Sequence, residues 1–118
     1  MTKACILLLA DTDTHEGVGR MANALTSARE FVDSGDQVVV VFDGAGTKWV
    51  PELEADEHRY HRIYAELSDH IAGACSYCAQ AFGVKDKIES SPVKLLSDIQ
   101  GHPSLHTFIS HRYQVLTF

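Results

Sequence analysis

Hydrophobic runs alternate along the first half of the chain with segments whose apolar residues recur at helical spacing. Residues 5–9 form a continuous apolar run, which is typical of a strand buried on both faces. From Val18 to Val32 the apolar residues recur at gaps of three and four, which predicts an amphipathic helix ending at Gly35. The β-branched run 38–42 predicts a second buried strand.

The second half of the chain shows the same alternation in weaker form. Apolar residues at Tyr60, Ile63, Tyr64, Leu67 and Ile71 predict a middle helix. The remaining predicted elements are a third strand ending at Cys75, a short helix over 76–82 stopped by Gly83, a fourth strand over 93–96, a helix from Pro103 through Ile109, and a final strand over 113–118.

The alternation of strands and helices predicts an α/β fold with a mainly parallel sheet and right-handed crossovers. In such sheets, ligands bind outside the carboxyl ends of the strands. This rule selects the loops 11–16 and 43–48 and the segment that starts at Cys75. Asp11, His15, Asp43 and Lys48 are the polar residues of the two loops that we expect to border a site.

Length and composition restrict the possible classes of protein. A chain of 118 residues fits a single domain over 1–118, and it leaves no room for a separate substrate domain. The formal charge of −6, without a basic run, argues against nucleic-acid and anionic-membrane partners. Three cysteines are too few, and odd in number, for a secreted disulfide framework. We therefore expect a cytoplasmic protein whose thiols stay reduced.

Two cysteines at C-x-x-C spacing are the most informative feature of the sequence. Cys75 is predicted at the end of a strand and the start of a helix, a position that lowers the pKa of a thiol. Cys78 lies one helical turn further, on the same face. This spacing suits persulfide carriage, dithiol–disulfide exchange or half of a metal site. Cys5 lies in an apolar strand, where we expect a structural thiol.

The seven histidines do not form a specific metal motif. Three cysteines exclude a four-cysteine zinc site, so a mixed site would need histidine ligands. His58 and His61, and likewise His102 and His106, have the spacing of pairs on a helix face, but neither pair lies in an H-E-x-x-H motif. We therefore predict no metal and no cofactor. His15 is the exception of interest, because its loop faces the expected crevice and its imidazole could stabilise a thiolate.

A glycine pattern after the first strand resembles a dinucleotide-binding fingerprint. Residues 17–22 match G-x-G-x-x-A, and Asp43 ends the second strand. The first glycine comes too long after the strand, and the acidic loop 11–16 would repel a pyrophosphate. Residues 43–48 lack the G-K-[ST] ending of a Walker loop. The sequence therefore does not predict a nucleotide-binding site.

Four segments together resemble the DsrE/DsrF-like family of small sulfur-relay proteins. They are Ile-Leu-Leu-Leu at 6–9, Val-Phe-Asp-Gly at 41–44, the segment from Ala74 to Val84 that contains the cysteine pair, and Tyr-Gln-Val-Leu-Thr-Phe at 113–118. The resemblance implies a Rossmann-like, three-layer α/β/α sandwich with a parallel sheet of five strands. It also implies homo- or hetero-oligomers, commonly trimers or hexamers. Cys75 matches the family cysteine that carries sulfane sulfur as a persulfide, whereas Cys78 departs from branches with a single cysteine at this site.

Three functions remain open at this point. The leading hypothesis is a sulfur carrier or sulfurtransferase with Cys75 as the persulfide-bearing nucleophile and Cys78 as the auxiliary thiol. Its partners would be copies of the same chain, as a dimer, trimer or hexamer, and a sulfur donor or acceptor protein. The alternative is a non-catalytic, oligomeric module that binds a small ligand or regulates by redox change. The third is a small dithiol oxidoreductase.

Overall fold

The structure, a computed structural model, describes residues 1–118 and contains a five-stranded parallel sheet. The strands lie in the order β4-β3-β2-β1-β5. The elements in chain order are β1 (Lys3–Leu8), α1 (His15–Asp33), β2 (Gln37–Phe42), a 3₁₀ turn (Gly44–Lys48), α2 (Trp49–Glu54), α3 (His61–Glu66), a 3₁₀ turn (Ser68–His70), β3 (Ile71–Cys75), α4 (Ser76–Ala81), α5 (Lys85–Glu89), β4 (Leu95–Leu96), α6 (Leu105–Ser110) and β5 (Gln114–Thr117). The predicted α/β fold with five parallel strands is confirmed.

The two faces of the sheet are covered unequally. Alternate residues of β1 point to opposite faces, so Ile6 belongs to a core of 19 buried residues and Leu7 to a cluster of three. The larger core includes Met21 and Leu25 of α1, both fully buried. The smaller cluster packs against six partly buried residues, of which Phe108 in α6 is the one on a helix. The outer layer on that side is therefore thin.

The long helix α1 follows its sequence signals. Thr14 caps it by accepting a hydrogen bond from the N–H of Gly17 at 2.9 Å. Its buried residues recur at helical spacing, as the apolar pattern predicts. The chain turns after the helix at Gly35, whose φ is +78°. This helix therefore packs on β1 and β2 and anchors the larger core.

A β-bulge in β3 sets the direction of the chain just before the cysteine pair. Val40 pairs with Ile71 and the next residue, Val41, pairs with Gly73, so β3 contains one extra residue. Gly73 has a φ of +154°, and a Cβ atom at this position would lie 2.6 Å from the carbonyl O of Lys94. Only glycine fits both the backbone conformation and the close approach of β4.

Several predicted boundaries are wrong. Ile71 begins β3, so the middle helix α3 ends at Glu66. Pro103 precedes the last helix, because Ser104 is the capping residue and accepts from the N–H of Thr107 at 3.2 Å. Helices α2 and α5 were not predicted, since each has only five or six residues and too few apolar positions to show a period. None of the helices combines the length and the hydropathy needed to span a bilayer.

Candidate functional site

The cysteine pair lies at the carboxyl end of β3, as predicted. Cys75 is the last residue of the strand and caps α4, with its Sγ atom accepting a hydrogen bond from the N–H of Cys78 at 3.3 Å. Cys75 is fully buried, whereas Cys78 in the first turn of α4 is half-buried. Neither thiol forms a disulfide. The two cysteines are therefore free thiols with different exposure to solvent.

A histidine from a distant part of the chain contacts the buried thiol. The Nδ1 atom of His102 lies 3.3 Å from the Sγ atom of Cys75. His102 closes a tight turn, in which its backbone exchanges two hydrogen bonds with Ile99, at 2.9 and 2.8 Å. The two central residues, Gln100 and Gly101, have φ values of +50° and +86°, the pattern of a type I′ turn. This turn holds the imidazole against Cys75.

Helix α4 fixes the other side of the turn. The backbone N–H of Tyr77 donates to the carbonyl O of Gly101 at 2.9 Å. The ring of Tyr77 packs on the ring of His102 with 4.8 Å between centroids and a tilt of 36°. A side chain on Gly101 would meet the Cβ atom of Tyr77 at 3.2 Å, so glycine permits this close packing. The orientation of the imidazole is thus set by contacts on both sides.

A carboxylate completes the cluster at the sheet edge. Asp43 directly follows β2, and its Oδ1 atom accepts a hydrogen bond from the N–H of Gly44 at 2.8 Å. Each of Asp43, Cys75, Cys78 and His102 offers one ligand-type atom, and all four atoms lie within 4.8 Å of one another. We call these four residues the thiol cluster.

The electrostatics of Cys75 differ from the expectation based on sequence. Burial raises the pKa of Cys75 to about 12, and the negative charge of Asp43 acts in the same direction. The hydrogen bond from the N–H of Cys78 lowers this pKa but does not outweigh the burial. The predicted lowering by a helix start is therefore wrong, because α4 is short and Cys75 is shielded from water. Burial likewise raises the pKa of Cys5 to about 11, as expected for a structural thiol.

The other predicted neighbours form a separate ion-pair group. Lys48 Nζ lies 2.8 Å from Asp11 Oδ1 and 3.4 Å from Asp13 Oδ2. The pair with Lys48 lowers the pKa of Asp11. His15 starts α1 as an exposed residue without a side-chain hydrogen bond or ion pair. Asp43 is therefore the one predicted neighbour that the structure brings into the thiol cluster.

Sequence reasoning missed His102 because it considered this residue only as a helix-face partner of His106. The paired helix faces were wrong for both histidine pairs, since α3 begins at His61 and α6 begins at Leu105. The signal that could have found His102 is its place in the loop after β4, the neighbour of β3. The carboxyl ends of parallel strands meet at one edge of the sheet. The loop after β4 therefore lies at the same edge as loops 11–16 and 43–48 and the segment that starts at Cys75.

The chemical capacity of the site follows from its groups. A thiol in contact with an imidazole has a proton acceptor at hand, and a second thiol one turn away can attack a modified sulfur. Two sulfur atoms, an imidazole nitrogen and a carboxylate oxygen are also ligands for a borderline-soft metal ion. Fold and site together define a small α/β protein with two free thiols close together at the carboxyl edge of a parallel sheet.

Comparison with known proteins gives the family. The sequence profile of the DsrE/DsrF-like family matches residues 5–118, so the chain belongs to the DsrE/DsrF-like family. Uncharacterized protein MJ0733 of Methanocaldococcus jannaschii is 28% identical over 96 residues, which cover 81% of this chain and 78% of that protein. A solved structure, the conserved protein of unknown function BT1422 from Bacteroides thetaiotaomicron, matches with a TM-score of 0.58 and 19% identity. That match covers 97% of this chain and 94% of the other and supports the fold.

Proposed function

We propose that this protein handles sulfane sulfur, with Cys75 as the residue that carries it as a persulfide and Cys78 as the auxiliary thiol. The observation that carries the proposal is a pair of free thiols at the carboxyl end of β3, with His102 Nδ1 3.3 Å from the Sγ atom of Cys75. Membership in the DsrE/DsrF-like family suggests a role in sulfur relay. The thiol pair gives this role a chemical route.

The uptake step transfers one sulfur atom without net oxidation of the protein. The Cys75 thiol gives its proton to the imidazole of His102, and the resulting thiolate attacks the outer sulfur of a donor persulfide. The bond between the two donor sulfurs breaks, and the donor leaves as a thiolate. The product is a persulfide on Cys75, whose outer sulfur can pass to an acceptor nucleophile and thereby regenerate the Cys75 thiolate.

Cys78 provides a second route for the same sulfur. Its thiolate attacks the Sγ atom of the Cys75 persulfide, so that a Cys75–Cys78 disulfide forms and sulfide leaves. The outer sulfur gains two electrons and the two cysteines lose two, which balances the step. The proximity of the two side chains, whose sulfur atoms lie within 4.8 Å, supports this route.

Access to Cys75 requires a local movement. Cys75 is fully buried and contacts the turn that carries Gly101 and His102. Cys78 is half-buried and reachable from the surface. We propose that the turn 99–102 opens to admit the donor, because it is held by one backbone hydrogen bond to α4 and by the packing of Tyr77 on His102.

Intact-mass measurement tests the proposal. The reduced protein is incubated with a small-molecule persulfide and weighed under non-reducing conditions. At short incubation times, before Cys78 releases the sulfur as sulfide, we expect the wild type and Cys5→Ser to gain the mass of one sulfur atom, and Cys75→Ser not to gain it. Cys78→Ser keeps the added sulfur, because it cannot release sulfide. Equal sulfur uptake by Cys75→Ser and wild type would contradict the proposal.

The burial of Cys75 favours a second candidate, a redox-regulatory module without sulfur transfer. In that case the two thiols form a reversible disulfide and the protein takes up no sulfane sulfur. The Cys78→Ser variant separates the two functions, because a sulfur carrier without the auxiliary thiol keeps the added sulfur whereas a regulatory module gains none. Reversible oxidation of the wild type, together with no sulfur uptake by Cys78→Ser and no release of sulfide by the wild type, would favour the regulatory module.

A further inference from the structure

We propose that the thiol cluster is a binding site for one tetrahedral zinc ion per chain. The four residues come from the ends of three neighbouring strands and the first turn of α4, and their ligand-type atoms lie within 4.8 Å of one another. Two sulfur ligands, one imidazole and one carboxylate match zinc, whereas Mg²⁺ and Ca²⁺ prefer sets of oxygen ligands. This inference goes beyond sulfur transfer and does not depend on it.

The spacing of the cluster fits a tetrahedral site after a small contraction. Bonds of about 2.0–2.3 Å to zinc place neighbouring ligand atoms roughly 3.3–3.8 Å apart. Cys75 Sγ and His102 Nδ1 already lie 3.3 Å apart. The widest possible separation in the cluster is 4.8 Å, so ligand atoms would have to approach one another by about 1.5 Å at most. Cys78 and Asp43 are half-buried, and their side chains can make this movement.

Hydrogen bonds around the cluster orient its ligand atoms. Asp43 uses Oδ1 to accept from Gly44, and no hydrogen bond occupies its Oδ2 atom. The Sγ atom of Cys75 accepts from the N–H of Cys78 at 3.3 Å, and this hydrogen bond orients the side chain. The His102 ring is fixed by Tyr77 and by the turn that carries it. Such outer contacts are typical of metal sites in which the ligands are oriented before binding.

Zinc binding would compete with persulfide formation. The same thiolates that coordinate the ion are the thiols proposed to take up and release sulfur, so the two states exclude each other. A zinc-loaded chain is therefore expected to take up sulfur only after a chelator removes the metal. The zinc site could thus protect the thiols or regulate their use.

Metal titration of the reduced, metal-free and persulfide-free protein tests the inference. Zn²⁺ is titrated in competition with a chromogenic chelator, and Co²⁺ binding is followed through its absorption spectrum. We expect one zinc ion per chain and, for Co²⁺, the charge-transfer absorption of thiolate ligands. Cys75→Ser, Cys78→Ser and His102→Ala are expected to weaken binding by at least about 10–100-fold. Asp43→Asn keeps a capping side chain but lacks the carboxylate, and it is expected to weaken binding to a smaller extent.

Matched controls come from residues of the same types outside the cluster. Cys5→Ser in β1 and His106→Ala on the exposed face of α6 should bind zinc as the wild type does. Far-ultraviolet circular dichroism verifies that each variant is folded. Absence of stoichiometric zinc, or equal weakening in the controls, would overturn the inference. Neither result bears on sulfur uptake, because the mass experiment is carried out on metal-free protein.

Discussion

Cys75 and Cys78 are one helical turn apart but lie in different environments. Cys75 is fully buried beneath the turn at His102, whereas Cys78 is half-buried. Solvent access, rather than position in the motif, therefore decides which thiol meets a reagent first. The imidazole of His102 lies against the buried Cys75, with its Nδ1 atom 3.3 Å from the sulfur. The C-x-x-C spacing alone does not predict this histidine.

Alkylation should reveal this difference. With limiting iodoacetamide under native conditions, we expect Cys78 to be labelled first, Cys75 more slowly and Cys5 most slowly. After denaturation, all three should react at similar rates, because the differences come from burial. Peptide mapping by mass spectrometry measures each site. Faster native labelling of Cys75 than of Cys78 would show that the turn 99–102 is open in solution.

Tyr64 provides a pH-dependent contribution to stability. Its hydroxyl is buried and donates a hydrogen bond to Glu54 Oε2. Burial raises the pKa of Tyr64 above its ordinary value, and Glu54 raises it further. The unfolded state therefore loses the phenol proton first, so this stabilisation is complete below about pH 10 and decreases as the pH rises further.

The substitution Tyr64→Phe tests that contribution. We expect it to lower the free energy of unfolding by about 1–2 kcal/mol at neutral pH. The loss should shrink as the pH rises above about 10, because the unfolded wild type is then stabilised by losing the phenol proton. Urea unfolding of the wild type and the variant, at neutral pH and at a pH above about 10, measures the difference in the free energy of unfolding. Tyr113→Phe is the control, because the Tyr113 hydroxyl has no hydrogen-bond partner within the protein. A loss of equal size at both pH values would contradict the prediction.

Strand β3 and its bulge form the element on which the thiol cluster depends. The extra residue lies directly before the segment that ends in Cys75, and β4 approaches Gly73 through the carbonyl of Lys94. A side chain at Gly73 would push β4 away and move the end of β3. The loop after β4 carries His102, so the strain would also reach the imidazole.

Two glycine substitutions separate the effect of steric and backbone strain in β3 from the effect of helix propensity in α1. Gly73→Ala should lower the free energy of unfolding by about 2–4 kcal/mol, because the new Cβ meets the Lys94 carbonyl and φ is positive. Gly19→Ala in α1 has open space and helical backbone, and it should raise stability by about 0.5–1 kcal/mol. Thermal and urea unfolding measure both. Equal stability of the two variants would contradict the importance of the bulge.

The whole molecule has one well-covered and one thinly covered sheet face. The thin side depends on α6, on which Ile109 is 61% exposed. Soluble monomers rarely expose large contiguous apolar patches. We therefore predict a homo-oligomer in which a partner chain covers this face.

Light scattering coupled to size exclusion tests the oligomeric state. The chain mass is 13.0 kDa, and we expect a mass that is an integer multiple of it, two or more. Replacing Ile109 by Lys on the exposed face of α6 should shift the protein toward the monomer if α6 forms the contact. His106→Ala, on the same helix, is the control. A monomer at all concentrations would contradict the prediction.

Most of the fold could be predicted from the sequence because buried strands and long helices leave periodic patterns. Strand β2 and helix α1 are clear in this way, since one is a β-branched run and the other repeats at helical spacing. Short helices such as α2, which has Pro51 in its first turn, leave no such pattern. The cysteine pair was found because C-x-x-C is a local motif. His102 was missed because tertiary packing, through a turn 27 residues away, brings it to Cys75.

The most direct measurement locates the transferred sulfur on the chain. Protein treated with a small-molecule persulfide is alkylated, digested and mapped, so that each cysteine is identified as thiol, persulfide or disulfide. We predict that the extra sulfur appears on Cys75 and that in Cys78→Ser it accumulates there. An extra sulfur found only on Cys78 or Cys5, or on no cysteine, would contradict the role of Cys75 as the sulfur carrier.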